Sequence, residues 1–213
     1  MNPDSIDELG LADWRRQVAA LYAEVRRVLR ADPDAALDTW RREREALYRE
    51  HRQSPVPAEG RSRFRAAHFA ADPAFRFEVA VEPNGADRAE PGTLQLPVSH
   101  GDQMQFRRIG ILTVPFPAGT RRLALFWMEG YAGGLFLPFR DSTNGRETYG
   151  AGRYLLDAAK GADLGGDVAR GTLALDFNFA YQPSCAFDPR WACPLAPREN
   201  WLDIPVASGE RLG

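Results

Sequence analysis

The chain predicts an α+β protein: a mainly antiparallel β-sandwich or partly open β-barrel, with an N-terminal pair of helices and a proline-rich C-terminal wrap. Three observations carry this expectation. Apolar side chains between residues 11 and 51 recur at steps of three and four. From Phe77 onward, short runs of β-branched, aromatic and leucine residues are separated by Gly, Pro, Asp and Asn, with no helix-length pattern between them. Past residue 183 the chain is irregular, and Pro183, Pro189, Pro194, Pro197 and Pro205 exclude a central strand over most of it.

Leu11, Trp14, Val18, Leu21, Tyr22, Val25, Val28 and Leu29 form one apolar stripe opposite arginines and acids, the mark of an amphipathic helix. Ala31-Asp32-Pro33-Asp34 interrupts it. Asp32 can cap a second helix, Pro33 suits its first position, and Asp34 suits its positive end. That helix is expected to reach about His51, burying Leu37, Trp40, Leu47 and Tyr48, and to stop before Pro55, which disfavours helical geometry at Ser54. Phe77, Val79 and Val81 then alternate with Glu78 and Ala80 as a half-buried strand. A turn-rich NGADRAEPG follows, and then the strand-like runs TLQLPVS, QFRRIGILTVPF, RRLALFWME, GGLFLPF, RYLLDA and TLALDFNFAY. The aromatic residues of the last stretch (Phe187, Trp191, Trp201) are too many for a disordered tail, so it should wrap the β core. Residues 1–58 read as the helical pair and linker, residues 59–213 as the β domain, and the two as a single globular unit.

Composition restricts function. With 213 residues, 44% hydrophobic and 26% charged, the chain resembles an ordinary soluble domain with a real core. A net charge of −2 offers no field for nucleic acid or acidic membranes. No apolar run approaches the roughly 18–20 residues of a membrane span, and MNPDSIDELG lacks the basic and apolar regions of a secretory signal, so a cytoplasmic protein is expected. Lys160 is the one lysine among 27 basic residues, a skew that reads as coding bias rather than recognition.

Four stretches hold the candidate chemistry. In RDSTNGRETYGAGRY, Asn144-Gly145 fits a primed hairpin turn, while Gly150 and Gly152 permit positive φ or close backbone approach. Such a loop can present N–H groups to an anion with Arg153 adding a bidentate fork; as a purely structural hairpin, it would pair Arg153 with Asp141 or Glu147. In LDFNFAYQPSC, a strand over residues 171–179 would put Asp176 and Asn178 on one face, with Asp141 and Asp176 as a carboxylate pair for acid–base work or a hard cation. Cys185 and Cys193 lie eight positions apart, without C-x-x-C spacing; with three histidines in the chain, a zinc site would need ligands gathered from afar, and no metal ligand is assigned. Buried reduced thiols rank first, a loop-closing disulfide second, and a thiol nucleophile with His51 as its base last. His51 itself falls on the buried side of the second helix near its C-terminus, and His100 precedes a turn-like Gly101-Asp102.

The blocks LFLPFRDSTNGRETYGAGRYL and LDFNFAYQPSCAFDPRWACPLAPRENWLDIPVASGE resemble the bacterial and archaeal domain-of-unknown-function family numbered 1684. Asp141, Thr143, Gly145, Thr148, Tyr149, Gly150, Gly152, Arg153 and Tyr154 match its first block. Asp176, Phe177, Asn178, Ala180, Tyr181, Pro183, Cys185, Cys193, Pro194, Pro197, Glu199 and Asn200 match its second, and Gln182 replaces the family's asparagine. The resemblance implies no activity, but it implies that these polar residues act together. The expectation is a pocket where the YGAGRY loop, the DFN strand end and the wrap converge, taking a small polar or anionic metabolite. Arg153 would anchor the ligand with Thr143, Tyr149, Asn178, Tyr181 and Cys185 around it, and Asp141, Asp176 and His51 would serve a small hydrolase or lyase. The alternative is a non-catalytic structural or interaction module whose motif residues are buried hydrogen-bonding staples, with Trp14, Trp40 and Tyr48 offering a partner or homodimer surface. Nothing points to flavin, nicotinamide, haem or another cofactor.

Overall fold

The computed structural model describes residues 3–84, 93–96, 104–130 and 133–213. NGADRAEPG beyond its first residue, the end of TLQLPVS, and His100 with its turn lie outside these residues.

Helix α1 spans Pro3–Leu29 and α2 spans Pro33–Glu50. They part where the sequence requires it: Asp32 adopts extended backbone, and its carboxylate accepts the N–H groups of Asp34 (3.1 Å) and Ala35 (3.0 Å). Trp14, Trp40 and Tyr48 do not form the partner surface expected of them. All three are buried inside the molecule, and the Trp40 indole N–H donates to the Tyr22 hydroxyl at 3.1 Å. An amphipathic helix turns its largest aromatics toward the core that it covers, and here that core is the protein's own sheet.

After a one-turn helix α3 (Ala58–Arg61) come the strands β1 (Ala67–His68), β2 (Arg76–Pro83), β3 (Thr93–Leu96), β4 (Met104–Phe116), β5 (Gly119–Met128), β6 (Gly134–Phe139), β7 (Arg153–Asp157), β8 (Gly166–Asp167), β9 (Thr172–Asp176) and β10 (Glu210–Arg211). Every pairing between them is antiparallel. The main sheet runs β7-β6-β5-β4-β2-β9-β8 and curls into a half-barrel, so the partly open barrel and not the two-sheet sandwich is what forms. β5 lies along one edge of β4, and β3 and β2 share the other. Between Arg108 and Gly110 the register of β4 shifts; a side chain at Gly110 would meet Val81 at 2.7 Å and the Glu82 carbonyl at 2.8 Å. A bulge relieved of its Cβ strengthens local twist, and this one bends the longest strand.

Consecutive buried residues in β5 (Leu123 to Phe126) and throughout β7 show a sheet covered on both faces. On one face Phe106, Phe126, Phe136 and Tyr154 pack under the helices with Trp14 and Trp40. On the other, Leu112, Leu125, Phe139 and Leu155 pack with Phe177, Leu202, Ile204 and Val206, so the wrap supplies the second layer.

Two local expectations are corrected. The strand expected over residues 171–179 ends at Asp176, whose carboxylate accepts the Asn178 N–H at 2.9 Å and turns the chain into a single 3-10 turn, Phe177–Phe179. A primed turn at Asn144-Gly145 needs positive φ at Asn144, with or without positive φ at Gly145. Gly145 has it (φ +79°), but among the described residues no other residue type does. Asn144 instead spends its amide inside the loop, donating to Thr148 Oγ1 and the Tyr149 carbonyl (2.8 Å each) and accepting from the Asp141 N–H (2.6 Å).

Candidate functional site

The first arrangement is a set of buried braces. Arg153, the first residue of β7, is wholly shielded from solvent, although it follows the loop expected to expose it. Its guanidinium donates to Asp141 Oδ2 at 2.9 Å, to the Val206 carbonyl at 2.7 Å, to the Glu210 carbonyl at 3.1 Å and to the Ser208 carbonyl. Burial depresses its pKa and the Asp141 charge opposes that. Asp141 Oδ1 accepts the N–H of Thr143 at 2.8 Å, and the Thr143 and Thr148 hydroxyls bond each other at 2.8 Å. Gly152 makes this possible: its φ is +105°, and a Cβ there would meet the Phe139 carbonyl at 2.5 Å.

Asn178 is equally enclosed. Its carbonyl accepts the Asp72 N–H (2.9 Å) and the Ser208 hydroxyl (2.8 Å), and its amide donates to the Asp72 carbonyl (2.9 Å) and to Asp176 (2.7 Å). Asp176 also takes the Arg76 guanidinium at 3.0 Å; burial raises its pKa against the lowering pull of Asn178 and Arg76. The two carboxylates therefore do not form the expected pair: Asp141 belongs to Arg153, and Asp176 to Arg76. Asn200 completes the set, bonding both backbone groups of Ala124 (2.7 and 2.9 Å) and the Pro138 carbonyl (2.8 Å), so its side chain ties the wrap to β5 and β6.

His51 caps α2. Gln53 N–H donates to its Nδ1 at 3.0 Å and its Nε2 lies 3.2 Å from Asp13, so both ring nitrogens are taken and neither is left for a thiol. Cys185 and Cys193 are buried and not joined by a disulfide; the Cys185 N–H donates to Cys193 Sγ at 3.3 Å. The hydrogen bond with Cys185, and burial after it, push the Cys193 thiol far above its ordinary pKa. Tyr149 bonds Cys185, and burial together with that contact pushes its hydroxyl up to about 12. Tyr181 donates to Asp157 Oδ2 at 3.1 Å, and the Arg44 guanidinium lies 4.5 Å from the centre of its ring. Arg44, which the sequence reading missed, forms a buried ion pair with Glu210 at 2.5 Å. Burial alone would lower its pKa, and Glu210 raises it instead.

The second arrangement is a chamber of about 260 Å³ on the helix-covered face. α1 contributes Leu11, Trp14 and Arg15; the sheet contributes Met104, Phe106, Met128, Phe136 and Tyr154; the wrap contributes Trp191, Cys193 and Pro194. Its walls are mainly aromatic, aliphatic or thioether. Besides Arg15 and Gln53, three polar residues of the lining cluster together: Asp157, Lys160 and Ser184, with Lys160 Nζ 3.2 Å from Ser184 Oγ and 4.0 Å from Asp157 Oδ2. Lys160 sits on a 3-10 turn (Ala158–Lys160) that the Asp157 carboxylate starts and Gly161 ends at φ +63°. Of the expected ligand-binding residues none lines this space, although their neighbours Tyr154, Ser184 and Cys193 do.

Among the described residues, no group of three or more His, Cys, Asp or Glu side chains is placed to hold a metal ion, and no helix is long and apolar enough to cross a membrane.

A model of the family described as "Protein of unknown function (DUF1684)" matches residues 63–211. The solution NMR structure of an uncharacterized protein of Haloarcula marismortui is similar at 33% identity over 84% of this chain and 94% of that one, with a TM-score of 0.61. No curated protein matches.

Proposed function

The chain belongs to the DUF1684 family of proteins of unknown function, and from that premise we propose that it binds a small, mainly apolar molecule in the chamber between α1, the curled sheet and the wrap. The observation that carries this is the lining: Trp14, Phe106, Met128, Phe136 and Trp191 leave about 260 Å³ among them. A cavity of that chemistry is stabilised by any apolar occupant that displaces water from it. Its volume suits a molecule smaller than a typical drug.

The motif residues enter as its frame. Arg153, Asp141, Asn178, Asp176 and Asn200 are buried and, the unpartnered Arg153 Nε apart, spend their side-chain polar atoms on backbone, on one another or on Arg76 and Ser208, which favours the staple role over direct contact with a metabolite. Five lining residues, Leu11, Trp14, Arg15, Gln53 and Pro55, precede the family-matched residues 63–211, so α1 and the segment after α2 complete the chamber.

A neutral apolar fluorophore such as N-phenylnaphthylamine tests the reading. Titration into the protein is expected to give enhanced, blue-shifted emission that saturates. Met128→Trp, which fills the chamber, and Met104→Trp, on its exposed rim, should weaken the signal by about tenfold while keeping native circular dichroism; about 1.4 kcal/mol of binding energy corresponds to that factor. Unchanged binding in both folded variants rules the chamber out.

A further inference from the structure

We propose that the chamber's ligand is an amphipathic anion: an apolar body with one carboxylate or phosphate head, received by Lys160. The inference rests on the apolar-chamber reading and adds to it the charge and orientation of the occupant.

Among the described residues, two cations and one carboxylate border the space: Arg15, Lys160 and Asp157. The carboxylate is largely occupied. Asp157 Oδ2 accepts the Tyr181 hydroxyl at 3.1 Å and Oδ1 accepts the Ala159 N–H at 3.1 Å, while Lys160 stands 4.0 Å away, beyond hydrogen-bond range. Among the described residues Lys160 makes one hydrogen bond, to Ser184 Oγ. An ammonium has three donors, so this leaves donor capacity for an incoming anion. The remaining polar groups bring no countercharge. Burial, before the effect of neighbouring Cys193 and Asp157, holds the Tyr154 hydroxyl neutral well above its ordinary pKa, and the Cys185 hydrogen bond does the same for the Cys193 thiol.

Lys160 is also held in place. Its side chain is 25% exposed, and its ammonium lies 5.6 Å from the ring centre of Tyr181 and 5.8 Å from that of Tyr154. A cation that keeps a route to solvent, beside apolar walls that exclude water, interacts more strongly with an anion than a freely solvated lysine does. From Asp157 the lining passes to Phe136, its partner across β6 and β7, then to the Phe106 ring 4.8 Å away and to Met128, which pairs with Phe106, so an apolar wall adjoins the charged group as an amphiphile needs.

The test is displacement of bound N-phenylnaphthylamine by octanoate, octyl phosphate, octanol and octylamine, which share a body and differ in head. The wild type should yield to octanoate or octyl phosphate at about tenfold lower concentration than to octanol, a difference of about 1.4 kcal/mol, and octylamine should be weakest. Whichever acid is tighter identifies the head as carboxylate or phosphate. Lys160→Met should bring the anions level with octanol, each displacement being scaled to the variant's own affinity for the fluorophore, and Lys160→Arg should restore part of the preference. Octanol matching both anions in the wild type, or an anion preference that survives Lys160→Met, overturns the proposal and leaves the apolar chamber standing. Failure of the neutral fluorophore to bind wild type overturns both.

Discussion

Arg153 and Lys160 lie seven positions apart and face opposite fates. Arg153 has a planar fork of five donors, and the chain gives its two terminal nitrogens one carboxylate and three carbonyls, which lets it be buried although its Nε has no hydrogen-bond partner among the described residues. Lys160 carries a compact charge that needs water or a flexible partner, and it stays at a mouth. Arg153→Ala would strand the buried Asp141 charge and take a donor from the carbonyls of Val206, Ser208 and Glu210, and breaking such a pair should cost about 3–5 kcal/mol in urea denaturation. The thiols make a second prediction at this scale. Thiolate is the reactive form, and a raised pKa keeps Cys193 in the thiol form at pH 8. Iodoacetamide should therefore label Cys193 slowly in native protein and rapidly after unfolding, as peptide mass spectrometry would show. The sequence made the motif residues conspicuous, but Asp, Asn and Arg bind a carbonyl of the chain as readily as one of a ligand. Which it is depends on what residues 206–210 do, and no local pattern around residue 153 reveals that. Lys160 was harder to see, because DAAKGA carries no motif and its one distinction is to be the lone lysine.

Helix ends were legible because their chemistry is local. Asp32 and Pro33 announce the start of α2, and the structure places the Asp32 carboxylate on two N–H groups of the first turn. Asp32→Ala should cost about 0.5–2 kcal/mol by thermal or chemical melts, since it orphans those donors at an exposed site. Asn at this position should lose far less. The same capping chemistry misled at Asp176, where apolar residues continue as Phe177 and Phe179 and alternation alone extends the strand. The carboxylate instead captures the Asn178 N–H, and one hydrogen bond decides between extension and a turn. The strands of the half-barrel were readable as runs of β-branched and aromatic residues. Their closure was not, because the bulge at Gly110 follows from contact with Val81 and Glu82, residues brought near only by pairing.

On the scale of the whole molecule, the sheet is one layer between two covers, the helical pair and the wrap. The class was evident from the order of periodicities, helical first, then strand-like, then proline-rich. The chamber was not, because its lining comes from segments as distant as Leu11 and Pro194, and no sequence window contains both. The braces also fix an order of events. Arg153 donates to the carbonyls of Val206, Ser208 and Glu210, the Glu210 carboxylate meets Arg44, and β10 pairs with β1. A chain lacking residues 206–210 would keep Asp141 alone among the four groups that receive the Arg153 guanidinium, and would lose the Arg44–Glu210 pair as well, so these residues and β7 form one cooperative unit. The fold therefore behaves like a clasp whose catch is the segment 206–210. On the ribosome, helices and hairpins can form early, but the closed structure must wait for translation to pass residue 210.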